Sequence, residues 1–198
     1  METQALQHIH IYTEASPNPN SMKFVLNLVL TPEGKDFNFT PDAPLSQSPL
    51  AEALFQNFSW ISQVFILNNF ITITRNHDED WYALIPEIKP FLTTYFSERK
   101  PIFAFASEAD MVAATENLLG ETETERQIIQ LLDEYVKPAV EGDGGAISFR
   151  SFQEGVVHLE LRGSCSGCPS STLTLKQGIQ NLLTRMVPEV KEVVAVNM

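Results

Sequence analysis

Apolar and polar residues change period several times along this chain, and the changes divide it into two patterned halves. His8-Ile9-His10-Ile11-Tyr12-Thr13 alternates as a half-buried strand does. Ser16-Pro17-Asn18-Pro19-Asn20-Ser21 then collects residues that favour turns and break ladders. Met22 to Leu30 reads as a second strand, closed by Thr31-Pro32-Glu33-Gly34. Ser48-Pro49 opens a short helix, because Ser48 can cap it and Pro49 suits its first turn. Leu50, Ala53, Leu54 and Phe58 give that helix an apolar stripe. Val64–Leu67 and Phe70–Thr74 read as strands joined by Asn68-Asn69, a two-residue turn that tolerates positive φ. A helix from about Asp80 to Phe96 turns Trp81, Leu84, Ile85, Ile88 and Leu92 to one side, with Pro86 and Pro90 acting against a single straight rod.

The pattern weakens between Ser97 and Glu121. Arg99-Lys100-Pro101 reads as a break, and Ala109 to Leu119 as a short helix ended by Gly120. Phe103 and Phe105 lie outside any core spacing and are candidates for docking one domain on the other. Past this stretch, Thr122 with Glu125 and Thr124 with Gln127 each offer a capping box. Ile128, Leu131, Leu132, Tyr135 and Val136 follow at helical spacing, and Pro138 with Glu141-Gly142-Asp143-Gly144-Gly145 stops or bends that helix. Ala146–Phe152 and Val156–Leu161 form two strands around a Gln153-Glu154-Gly155 turn. A helix from about Ser170 to Met186 points Leu175, Ile179, Leu182, Leu183 and Met186 inward, and Val190–Val196 is a last strand. The expectation is an α+β protein of two small domains. Residues 1–98 form a mixed sheet with two helices, 99–121 a linker, and 122–198 an α-β-β-α-β unit.

Composition narrows the function. The 198 residues are 43% hydrophobic and 19% charged, enough apolar content for two cores. The formal net charge is -12, and it is spread over both halves. Nucleic acid and anionic membrane surfaces are therefore poor partners, since both need positive charge. No apolar run approaches the ~20 residues that cross a bilayer. Met1 to Gln7 carries neither a basic start, an apolar stretch nor an Arg-rich amphipathic pattern. The expectation is a soluble, cytoplasmic protein in a reducing compartment, whose thiols are free or metal-bound.

There are two cysteines, Cys165 and Cys168. They lie in Gly163-Ser164-Cys165-Ser166-Gly167-Cys168-Pro169, between a strand end and a helix start. Backbone N–H groups and the macrodipole at a helix start favour negative charge, so lowered thiol pKa values are expected there. Gly163 and Gly167 let the backbone approach whatever the sulfurs hold. An accidental pair of thiols does not account for this flanking. A cycling dithiol usually comes with a thioredoxin-like βαβ order, which is absent. Metal binding needs four ligands for zinc or an iron–sulfur cluster, and one chain supplies two thiolates. A second chain related by a two-fold axis would complete the set. A site with so few ligands per chain should also release its cargo readily.

At this point the residues resemble a known family. Glu141-Gly142-Asp143-Gly144-Gly145, Gly155-Val156-Val157-His158-Leu159, the cysteine loop through Ser170-Ser171, Thr174-Leu175-Lys176-Gln177-Gly178-Ile179 and Val187-Pro188-Glu189-Val190 look like the C-terminal domain of NifU-like (Nfu-type) iron–sulfur proteins. Thr13-Glu14, Pro17-Asn18-Pro19-Asn20-Ser21-Met22-Lys23-Phe24, Ser48-Pro49-Leu50-Ala51 and Phe70-Ile71-Thr72-Ile73-Thr74 resemble the N-terminal domain often fused to it. The resemblance implies a homodimer that holds a labile [4Fe–4S] cluster between two protomers and passes it to apo iron–sulfur client proteins. It also implies contact with the cluster assembly machinery. Cys165 and Cys168 are then the cluster and metal ligands. A [2Fe–2S] cluster or zinc is the alternative cargo, and a zinc-binding or dithiol-redox module the alternative function. One departure is Ala146 after Gly144-Gly145, where many relatives look acidic, and that loop is given no ligand role.

Other candidates take plainer readings. His8 and His10 share a strand face without nearby carboxylate or cysteine support, and His158 is expected to face solvent or a neighbouring side chain. Asp78-Glu79-Asp80 lacks calcium-loop spacing and suits a solvated face or a helix N-terminus. Asp143 suits a turn. No nucleophile–base pair, phosphate loop or HExxH motif is present, so no enzyme activity is expected.

Overall fold

A computed structural model describes residues 8–76, 78–105, 120, 122–166 and 169–197. His77, the expected helix Ala109–Leu119, Gly167 and Cys168 lie outside the described residues. The chain forms two α+β units.

The first unit is a five-stranded antiparallel sheet ordered β1-β2-β5-β4-β3. Its strands are β1 (Ile11–Ala15), β2 (Ser21–Leu26), β3 (Asp36–Phe39), β4 (Ile61–Leu67) and β5 (Phe70–Arg75). Asn68 takes φ 50° in the β4–β5 turn, as its side chain permits. The second expected strand stops at Leu26, and residues 27–30 instead run beside that turn, with Leu30 N donating to Asn68 O at 2.6 Å.

Two helices cover one face of this sheet. In α1 (Pro49–Asn57) the Ser48 hydroxyl accepts from Ala51 N at 3.1 Å, and Leu50 and Leu54 are fully buried. In α2 (Trp81–Ser97) the Asp80 carboxylate accepts from Tyr82 N at 2.9 Å, which makes Asp80 an N-cap. Pro86 and Pro90 both lie within this one helix. Trp81, Leu84, Ile88 and Leu92 pack on Phe24, Ile66, Ile71 and Ile73. Phe103 and Phe105 do not dock one unit on the other. They stack on Phe37 of the first core, at centroid distances of 4.3 and 5.6 Å.

The second unit begins with α3 (Glu123–Leu131), closed at its start by the Thr122/Glu125 capping box. The helix runs through a π turn (Leu132–Val136) into α4 (Lys137–Gly142). Pro138 has no N–H to bond back and its ring crowds the preceding turn, so the coil widens ahead of it instead of stopping. The wider turn shifts the phase: Leu131, Leu132 and Val136 stay buried while Tyr135, expected inside, is exposed.

β6 (Gly145–Gln153) and β7 (Val156–Gly163) form a hairpin through Glu154 and Gly155, at φ 53° and 89°. Helix α5 (Pro169–Met186) crosses to β8 (Glu192–Asn197), which pairs parallel to β7. The core collects Ile128, Ile147, Leu159, Leu161, Ile179 and Leu183. Met186, expected inside, is exposed at the helix end, and Val187 fills the core in its place. Among the described residues, no helix is long and apolar enough to cross a membrane.

Candidate functional site

The strand β7 ends at Gly163, whose φ of 66° turns the chain into the cysteine loop. A side chain there would have no room: a Cβ would stand 2.7 Å from Gly144 O and 2.8 Å from the Phe65 ring. The opposite strand contributes the Gly144-Gly145 pair. Ser164 N donates to Gly144 O at 3.2 Å, and the Ser164 hydroxyl donates to Asp143 O at 2.7 Å. Asp143 therefore serves as a turn residue. Ser166 N closes the loop on Gly163 O at 3.1 Å.

Cys165 is held inside this frame. It is buried and packs with the core of the second unit. Its sulfur takes the space a side chain at position 145 would need, since a Cβ on Gly145 would lie 2.8 Å from Sγ. The Ser164 hydroxyl is 3.8 Å from Sγ. The expectation of a lowered thiol pKa fails at Cys165. Burial pushes the thiol up, the Ser164 hydroxyl pulls it down, and the Asp143 carboxylate adds to the rise. The helix start at Pro169 lies four positions further on, too far along the chain to prevail over burial. The other predicted ligand, Cys168, lies outside the described residues.

The first unit reaches the loop with the sheet face opposite its helices. Asn18, in the turn before β2, donates through Nδ2 to Ser164 O at 3.1 Å and Ser166 O at 3.5 Å, the carbonyls on either side of Cys165. Thr72 Oγ1 donates to Gly144 O at 2.7 Å. Lys23 Nζ donates to Gly142 O at 3.1 Å, at the C-terminal end of α4, where carbonyls welcome a cation. The Ser166 hydroxyl lies 3.1 Å from Gln63 Oε1. Arg162 holds Asp36 through two contacts, Nε to Oδ2 at 2.8 Å and Nη2 to Oδ1 at 3.1 Å. Burial raises the Asp36 pKa, and the Arg162 guanidinium works against that rise. Behind Arg162, the buried Glu160 also meets Arg150. Val25, Phe65, Leu67 and Phe70 close over Ala146.

Asp36 and Gln63 did not stand out from the sequence, and Asn18, Lys23 and Thr72 entered only within the stretches that resemble the N-terminal domain, with no role given to them. One signal was available. Val64-Phe65-Ile66-Leu67 is apolar without alternation, the mark of a strand buried on both faces. The remaining candidates are accounted for. His158 Nδ1 lies 3.2 Å from the Ser151 hydroxyl, and His8 and His10 are exposed. Among the described residues no three His, Cys, Asp or Glu side chains converge as a metal site.

Comparison with known proteins covers both units. Residues 11–99 match the model of the scaffold protein Nfu/NifU N-terminal domain, and residues 128–194 that of the NifU-like domain. The chain is 39% identical over 183 residues to a Drosophila persimilis protein named "NFU1 iron-sulfur cluster scaffold homolog, mitochondrial", covering 92% of this chain and 64% of that one. A Drosophila sechellia protein of the same name is 36% identical over 98% of this chain and 67% of its own length. The chain thus spans about two thirds of the relatives it matches. A solution structure of a NifU-like protein from Saccharomyces cerevisiae shares 26% identity, with a TM-score of 0.45 over 52% of this chain and 90% of that one. With both domain models matched in order, the chain belongs to the Nfu-type, NifU-like family.

Proposed function

We propose that the protein is an iron–sulfur cluster scaffold and carrier. Its cargo is one labile [4Fe–4S] cluster, held between two protomers by Cys165 and Cys168 of each and handed on to apo-proteins. The observation that carries this reading is the donor set. The chain has two cysteines in all, and the absence of a side chain at Gly145 leaves the space that Cys165 Sγ occupies. Thiolates suit iron–sulfur clusters, and four are needed. Two chains supply four. The names of the relatives, which are cluster scaffolds, point the same way.

The chain's own groups define its part in loading and transfer. The Cys165 thiol must give up its proton before its sulfur can bind iron, because the thiolate is the ligand. In transfer, a client thiolate binds the iron as Cys165 or Cys168 leaves, and the departing sulfur regains a proton. No step makes or breaks a bond in an organic substrate, so the role is carriage and not catalysis. A reducing compartment keeps both thiols available. The charge of -12 favours protein clients over nucleic acid.

The test is anaerobic reconstitution of the full chain with iron and sulfide, with absorbance and bound iron measured. Wild type is expected to gain the broad visible absorption of a cluster. Cys165→Ala and Cys168→Ala should each lose it. A chromophore of wild-type intensity in either variant would overturn the ligand assignment, and a colourless protein that takes up zinc would favour a zinc module.

A further inference from the structure

The helices and the main core of the first unit lie on one face of its sheet, and none of its own helices covers the outer face. Yet that face carries polar groups aimed at particular backbone atoms of the second unit. Asn18 brackets Cys165 by donating to Ser164 O and Ser166 O, and Thr72 holds Gly144 O. Phe65 fills the space left by Gly163, and Ala146 is small enough to sit under Val25, Phe65, Leu67 and Phe70. Ser164 and Ser166, on either side of Cys165, are 2% and 7% exposed. A protomer sharing a cluster at Cys165 would have to bring its own loop to this place, and the first unit's sheet already stands there.

We propose that the outer face of the first sheet is a docking surface for the cysteine loop of its own chain, and that this closed arrangement excludes a second protomer until the first unit lets go. The occupant is the described part of that loop, residues 163–166, together with the adjoining turn at residues 142–146; these present carbonyls to Asn18, Lys23 and Thr72, and the Ser166 hydroxyl to Gln63 Oε1. The binding groups of the surface are Asn18, Lys23, Gln63 and Thr72, with the Asp36–Arg162 pair at one side. A contact built mostly from hydrogen bonds around a small apolar patch can release, as contacts between domains of one chain commonly do. The consequence for cluster sharing rests on the function proposed above, whereas the docking itself does not.

The docking is tested on the reduced, iron-free full chain by iodoacetamide alkylation of Cys165, followed by mass spectrometry of its peptide. Two variants break the contact from opposite sides. Asn18→Asp keeps the acceptor for Asn20 N, at 3.0 Å from Asn18 Oδ1, but turns a donor facing two carbonyls into a carboxylate. Ala146→Asp drives a charge against Phe65, Leu67 and Phe70. Each is expected to raise Cys165 alkylation about tenfold, the factor that ~1.4 kcal/mol of lost docking would give, with an unchanged circular dichroism spectrum. Wild-type rates in both folded variants overturn the docking surface, whether or not the protein takes up a cluster. If alkylation rises, iron and sulfide are then added. Faster dimer formation by the variants supports the exclusion of the second protomer. Raised alkylation with wild-type rates of dimer formation, or with no cluster in any form, overturns that exclusion and leaves the docking standing.

Discussion

Cys165 is a thiol on which two demands conflict. The proposed cargo binding would need its thiolate, and the closed chain places it in a buried, poorly hydrated position that favours the protonated form. Its alkylation rate should therefore rise with pH along a curve displaced above that of an ordinary cysteine. Because the folded-state pKa is raised, the associated stability is fully present below the unfolded thiol's pKa and is lost as pH rises through the folded one. Urea midpoints of the iron-free chain should accordingly fall as pH rises above the ordinary thiol value of ~8.5, and less so in Cys165→Ala. A midpoint that rises over this range would contradict the burial argument. Glycine substitutions give a second check. Gly163→Ala meets both a φ of 66° and contacts of 2.7 to 2.9 Å, and should cost at least ~2 kcal/mol. Gly178→Ala, within α5 and open to solvent, should stabilise by ~0.5–1 kcal/mol. Thermal melts of the pair should move in opposite directions.

At the scale of elements, most of the chain was readable because each piece follows its own local rule. Ser48, Asp80 and Thr122 act as helix caps, and the Glu154-Gly155 turn sets the hairpin of β6 and β7. Strand β3 was missed because its four residues, Asp36-Phe37-Asn38-Phe39, sit among turn formers and alternate over too short a span. Tyr135 was misplaced because a single π turn changes which residues share a face. Cys165 was singled out as a candidate by motif, but its environment was not legible, since burial comes from chain segments remote in sequence. Ser48 illustrates how one residue can serve two segments: its hydroxyl accepts from Ala51 N and donates to Ile102 O at 2.8 Å. Ser48→Ala should cost ~1–2 kcal/mol by losing the cap. It should also loosen residues 101–105, an effect visible as faster amide exchange at Ala104, which donates to Gln47 O.

In the whole molecule, the two units meet at the loop that carries Cys165, the proposed cluster ligand. That meeting was legible only indirectly, in the unbroken apolar run of β4, because the partners of Asn18 and Thr72 lie 146 and 72 residues away. The Asp36–Arg162 pair spans the contact with both side chains largely shielded from solvent. Asp36→Ala leaves the guanidinium without that carboxylate and should weaken the contact by about 1–3 kcal/mol. Urea unfolding followed separately by Trp fluorescence, which reports the first unit, and by amide exchange in β7, which reports the second, should coincide in wild type and separate in the variant. Coincident transitions in both would argue that the pair does not couple the units.

The central claim is that two chains share one cluster through two thiolates each. Native mass spectrometry of the full chain after anaerobic reconstitution tests it most directly. The account predicts a dimer carrying four irons and four sulfides in total, absent from Cys168→Ala. A monomer that retains a complete cluster, or a reconstituted protein that stays monomeric and iron-free, would contradict it.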